Sequence, residues 1–377
     1  MQKDFHYYAT YCAAYLAGWS HDDSLKIAYS AQLVDLCSVT FLRSIKAPLQ
    51  AATTQSQLEL ADAMTDIVGL QDITRIWASF HFLPYDLNAD IKGSKLYRNK
   101  YRLICNVNGE PAAETVRIAR DHGTQAAGLA MHVIADTWAH RYFAGTPSLV
   151  INNTNQHFYE IMPDGSERQI KFRHSASAAD DPVQGLYTSS ILQYNENSIM
   201  NLGHGRAGHF PDYSFAKYRY LPAWGDYEEI IKDNPADYMN AFCQMIYALK
   251  YLRGDIKDFE TDRYDRDAII PVENEINAIL NKRQTDACDD WAALGKKLSG
   301  HDIEDHDLNR YTDEYINAGE DEKDDTYLGK FILAALRQKS MVTNRIFKSG
   351  SRLAGYSVDY NGQKFKGIRD YKKLTEK

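Results

Sequence analysis

The stretch GLAMHVIADTWAH, residues 128–140, sets the hardest constraint on this chain. Its apolar residues (Leu129, Ala130, Met131, Val133, Ile134, Ala135, Trp138, Ala139) leave no solvent-facing stripe, so a helix here is buried almost all round. Yet it carries His132, Asp136 and His140 at intervals of four. Positions i, i+4 and i+8 advance about 40° per step, which places the three on one face over about 12 Å. Buried carboxylates and imidazoles need partners. The span is too long for one ion, so it suits two or more adjacent divalent ions with Asp136 between them.

The rest of the first half also reads as helices. Residues 5–17 stop at Gly18, and Ser20 with Asp23 resembles a capping box for a helix over about 22–38. Two antiparallel helices joined at Gly18/Trp19 carry His6 and Asp35 to the same end, each about 20 Å from the turn. Further helices are expected at about 56–79, 111–121, 123–143, 185–200 and 234–252, with two or three more in 270–340. From 144 the texture changes. HFYEIMPDGSERQIKFRH places a Pro-Asp-Gly turn between β-prone runs, and a small β insertion is expected over 149–175. The last 35 residues contain strand-like pieces around an Asn-Gly turn. The domain reading is a helical metal-binding catalytic domain over 1–255, with a β-rich insertion at about 144–200, followed by a helical extension with a basic tail over 256–377.

Two further stretches supply metal-binding side chains. His81 stands between aromatics in FHF just before Pro84, and GHGRAGHFPD (203–212) offers His204, His209 and Asp212 among three glycines, where backbone can fold closely around an ion. Elsewhere the signals are structural. SHDD at 20–23 is a helix start rather than a phosphohydrolase motif; His301 and His306 suit a solvated surface, and His122, His157 and His174 show no partner logic. The 26 tyrosines are read as core and rim packing.

The pattern is similar to that of the bacterial zinc-dependent phospholipases C, which share an all-helical fold with zinc-dependent single-strand nucleases. The resemblance rests on an ordered series: FHYYAT (His6), QLVDL (Asp35), SFHFLPYD (His81), AMH-x-x-x-D (His132, Asp136), and GHGRAGHFPD downstream. It covers scattered motifs over roughly 1–215 and implies a multi-helix phospholipase C-like bundle with a small β-hairpin insertion, holding two or three Zn2+ ions. Carried over residue by residue, His81, His132, Asp35 and Asp136 hold one ion; His140, His209 and Asp212 a second, with His204 in the same segment; His6 and bridging Asp136 a third. Asp35 and Asp136 are the catalytic candidates, Asp35 as ligand before general base. Three departures stand out. His140 comes two residues earlier than its family counterpart, the 140–204 interval is much longer, and Met1, five residues before His6, does not match the N-terminal ligand of the family.

The implied activity is hydrolysis of phosphoester bonds in a small-molecule or phospholipid phosphodiester, with peripheral membrane contact among the expected interactions. The alternatives are a non-enzymatic metal-stabilised binding or toxin-accessory module, and a nuclease on the same scaffold. The net charge of −8 disfavours a nucleic-acid partner, and the absence of Walker A, G-x-G-x-x-G and G-x-S-x-G patterns removes support for nucleotide-cradling and serine-hydrolase readings. Acidic side chains outnumber basic ones 22 to 9 over 255–326, which suits a solvated surface beneath a basic tail. The five cysteines form no C-x-x-C and suit a reducing compartment. No apolar run reaches the length of a membrane span, and the N-terminus lacks a signal-peptide core, so a cytoplasmic location is expected, with signal-less secretion open.

Overall fold

A computed structural model of the chain describes residues 1–63, 67–146, 157–173, 178–189, 205–222, 228–305 and 307–351. The architecture is mostly helical with one small antiparallel sheet. A π-helical turn over Asp4–Ala9 runs into α1 (Thr10–Leu16), which ends at Gly18 with φ +90°, a conformation that favours glycine. The chain reverses, and the Ser20 hydroxyl accepts from the Asp23 amide to start α2 (His21–Leu33). This is the hairpin expected from the sequence, although α2 stops five residues short of the expected end and leaves Asp35 on the following turn.

Next come α3 (Val39–Ser44), α4 (Gln57–Ala63), α5 (Ile67–Phe80), α6 (Lys95–Tyr101) and α7 (Glu110–Ala119). They precede α8 (Gly123–Ala139), in which every residue from Gln125 to Ala139 is buried. Its all-round hydrophobicity makes it the central helix, with α2, α7, α9 (Asn234–Arg253) and α13 (Tyr327–Lys348) packed around it. Helices α10 (Glu273–Asn281), α11 (Cys288–Ser299) and α12 (Leu308–Asn317) complete the set among the described residues. The principal core cluster runs from Met1 through α8 to Ile346, so the helices beyond residue 255 share one core with those before it.

A close helix contact lies at Gly128, where α8 meets α2. A Cβ at this position would run into the Ile27 carbonyl oxygen and lie 2.6 Å from Ser30 Cβ. Because Ala31 sits on the same face of α2 and receives a bond from His132, any gap opened here also moves a candidate ligand. Gly128→Ala is therefore expected to destabilise the protein by about 1–3 kcal/mol in urea melts, and to weaken metal binding despite its distance from the site. A variant with unchanged melting and metal content contradicts this account of the packing.

The expected hairpin forms. Strands β1 (Phe158–Ile161) and β2 (Glu167–Gln169) flank the Pro-Asp-Gly turn, with Gly165 at φ +82° and Asp164 accepting from the Ser166 amide. The sheet is larger than the sequence suggested, however. Strands β3 (Lys217–Tyr220) and β4 (Ile230–Asp233) extend it to the order β2-β1-β3-β4, all antiparallel. The tyrosines of KYRY, read as core or rim packing, are core: Tyr218 and Tyr220 are two residues apart and point inward with Phe158, Phe210 and Phe143 to form a second core cluster. That cluster supports the turn bearing Asp212. The helix expected over 185–200, His204, His174, His306 and the strand-like C-terminal pieces fall wholly or largely outside the described residues. No helix among the described residues is long and apolar enough to cross a membrane.

Candidate metal centre

His132, Asp136 and His140 do face one point, and the other predicted side chains converge on it from separate elements. His6 comes from the π-helical turn, Asp35 from the turn after α2, His81 from the end of α5, and Asp212 from a 3-10 turn over Phe210–Asp212. His6 and His132 are fully buried, and Asp136 and His81 nearly so. Asp35 is the half-exposed member and marks where solvent reaches the cluster.

Each of three imidazoles has one nitrogen against a main-chain carbonyl: His132 Nδ1 is 2.9 Å from Ala31 O, His81 Nε2 3.0 Å from Thr53 O, and His140 Nδ1 2.6 Å from His81 O. A carbonyl only accepts, so these nitrogens carry the hydrogen, and in the neutral ring the opposite ones present lone pairs. The lone pairs meet. His81 Nδ1 lies 3.3 Å from His132 Nε2, and the two lie 3.1 and 3.2 Å from Asp136 Oδ2. Three acceptors at such separations repel unless positive charge lies among them. Ligands bound tetrahedrally to zinc at about 2.0–2.2 Å stand about 3.3–3.5 Å apart, close to the edges of this triangle. Asp35 Oδ1, at 3.8 and 3.9 Å from the two nitrogens, stands at a fourth corner.

Asp136 turns its other oxygen to a second region. Oδ1 lies 3.2 Å from His6 Nε2 and 2.7 Å from the Met1 α-ammonium, which also approaches Asp212 Oδ1 and His140 Nε2, each at 3.4 Å. His140 Nε2 and Asp212 Oδ1 are 3.1 Å apart. Met1, not expected at the site, is thus inside it, because the π-helical turn aims the first residues along α8. His6 stacks on His132 at 3.7 Å between ring centroids, and neither of its nitrogens has a hydrogen-bond partner of good geometry. Burial with no such partner is costly for an imidazole and suits a metal ligand. The ligand atoms of His6, Asp35 and His132 also lie within 4.8 Å of one another. His6 therefore stands with Asp35 and His132 as well as with Asp136.

Electrostatics follow from these contacts. Burial alone would raise the Asp136 pKa, but His140, the Met1 ammonium, His132 and His6 together hold it well below the usual carboxylate range. Burial pushes His6 down to about 4, helped by His132 and the ammonium. The ammonium is pushed up to about 11: burial opposes this, but Asp136, Asp212 and Asp35 outweigh it. Of the remaining predicted ligands, His209 is 66% exposed, with Nδ1 3.8 Å from Asp212 Oδ2, and stands at the rim outside the cluster. It begins the 3-10 turn, which points Asp212 inward and leaves the His209 ring outside. Around the cluster, Trp77 packs on His81 at 4.8 Å and Phe82 stacks on His140 at 4.6 Å, excluding water from the far side.

A mostly helical protein with histidines and carboxylates gathered along its central helix defines a candidate metal centre. The chain belongs to the family described as DUF6765, a family of unknown function, which it matches over residues 1–346. No curated protein and no solved structure matches it.

Proposed function

We propose that the protein is a metal-dependent hydrolase of phosphoester bonds, most simply a zinc phosphodiesterase on a phospholipase C-like helical bundle. The observation that supports this reading is the triangle of His81 Nδ1, His132 Nε2 and Asp136 Oδ2, three potential ligand atoms 3.1–3.3 Å apart. Asp35 joins them from the solvent side. His140 and Asp212 form a second position across Asp136, and His6 lies beside both. Bound divalent ions would supply a hydroxide near neutral pH and neutralise phosphoryl oxygens. The protein's own contribution is positional. Asp136 would hold an ion with each of its oxygens, the main-chain carbonyls orient the rings, Asp35 faces the open side where a phosphate would enter, and Trp77 and Phe82 pack behind His81 and His140.

Metal analysis of protein never exposed to chelator is expected to find at least two zinc-like ions per chain, and fewer than one defeats the proposal. Paired assays on phosphatidylcholine vesicles and a single-stranded oligonucleotide then separate a lipid phosphodiesterase from a nuclease. Full metal loading with no turnover across a broad phosphodiester panel would instead favour a metal-stabilised binding module.

A further inference from the structure

The His140/Asp212 half of the centre is held in place from behind by one turn of one helix. Residues 234–238, the first turn of α9, send three buried side chains toward it. Asp237 accepts from Arg141 Nη1 at 2.8 Å and from Lys232 Nζ at 2.5 Å. Lys232, itself buried, also donates to the Trp138 carbonyl at 2.6 Å. The residues two before and one after His140 are thereby tied to one carboxylate. On the other side, Tyr238 OH donates to the Asp212 carbonyl at 2.6 Å, and Asn234 Nδ2 donates to the carbonyls of Pro211 and Tyr213, each at 2.8 Å. The residues flanking Asp212, and Asp212 itself, are thus fixed to the same turn.

We propose that Asn234, Asp237 and Tyr238 are positioning residues that set the distance between His140 and Asp212, and so govern metal affinity at that position without touching the ion. The argument rests on convergence. His140 and Asp212 are 72 residues apart and come from a helix end and a 3-10 turn, both places where backbone is least restrained by its own hydrogen bonds. The local hydrogen bonds His140 N–Asp136 O and Asp212 N–His209 O hold each turn but do not span the two. The α9 turn fixes their separation through carbonyl and charge contacts on both segments at once, whereas the hydrogen-bonding contacts of His81 and His132, at the other position, run to Ala31, Thr53, Asp136 and each other. Partners of this kind, one bond removed from the ligands, change metal affinity by roughly 10–100-fold when lost.

This inference rests on the metal reading above, and the test separates their failures. Zn2+ and Co2+ are titrated into the full chain against a competing chelator, with Co2+ absorption counting the equivalents, for the unaltered protein and for Tyr238→Phe and Asp237→Asn. The expected result is that one equivalent weakens by roughly 10–100-fold while the others keep their affinity, and that the metal-free melting temperature of Tyr238→Phe moves little, whereas that of Asp237→Asn falls because Lys232 loses its buried partner. Combined with His140→Ala, Tyr238→Phe is expected to have no further effect on binding. Equal weakening of every equivalent, no change in any, or full additivity with His140→Ala would overturn the positioning role while leaving the metal reading intact. No binding by the unaltered chain would overturn both. Should Asp237→Asn fail to fold because Lys232 is left buried without its carboxylate, the volume-conserving Tyr238→Phe decides alone.

Discussion

Asp136→Asn is expected to lower phosphodiester turnover by roughly 10³-fold, because multi-ion stabilisation is worth several kcal/mol and each 1.36 kcal/mol is a factor of ten. The amide keeps the shape of the carboxyl group but not its charge. Asp136 Oδ2 faces His81, His132 and His140, and Oδ1 faces His6 and the Met1 amine, so the substitution weakens both metal positions at once. Zinc content should therefore fall by more than one equivalent. Circular dichroism should show the helices intact, since α8 is held by its apolar faces against α2, α9 and α13. An Asp136→Asn protein with full metal content and turnover would show that this carboxylate does not bridge.

Removing metal is expected to make the protein sensitive to acid. The folded-state pKa of His6 is lowered to about 4 from 6.5. Below about pH 6.5 the unfolded chain binds a proton that the buried ring refuses, so stability fully present above that pH is lost as pH falls toward 4. At 1.36 kcal/mol per unit the loss reaches about 3 kcal/mol. Asp136, whose folded pKa is depressed, contributes stability above about pH 3.9 that disappears only at lower pH, whereas Asp4, raised to about 6 by burial, gains stability as pH falls through 6 and offsets part of the His6 loss. Zinc at about 1,000 times its dissociation constant should add about 4 kcal/mol at pH 7. Urea midpoints with and without chelator at pH 4.5 and 7 measure both effects. Identical midpoints with and without zinc at pH 7 would mean that the folded state does not prefer the ion, and an acid limb left unchanged in chelated His6→Gln protein would remove His6 as a cause.

The residues that touch one another at the centre were legible because the signal was a contradiction. His132, Asp136 and His140 on a helix with no polar face demanded partners, and the ruler argument across the Gly18 hairpin placed His6 and Asp35 at one end without any tertiary information. His81 was weaker, a single histidine among aromatics. The long α8 and α9 and the Pro-Asp-Gly hairpin were legible from periodicity and turn chemistry. What stayed hidden was long-range. Strands β3 and β4 lie some 50 residues beyond the hairpin they join, and their inward tyrosines looked like any aromatic run. Asn234, Asp237 and Tyr238 resembled an ordinary helix start, which they also are, since the Asp233 side chain accepts from the Ala236 amide there. The carbonyls of Ala31, Thr53 and His81 are main-chain atoms and leave no mark in a sequence. His209 was drawn in by its neighbours, whereas the direction of one short turn decided between it and Asp212.

The pairing of three imidazoles with main-chain carbonyls also settles when the cost of ordering the site falls due. A free histidine ring samples several rotamers and two tautomers, and an ion that had to select one would lose affinity for each ring it immobilised. Here the selection is completed during folding by acceptors that belong to the helix ends and turns themselves. If the centre holds metal as proposed, its affinity is in this sense written into the backbone, and changes that shift α2 or the 53–55 segment should alter it without replacing a single ligand.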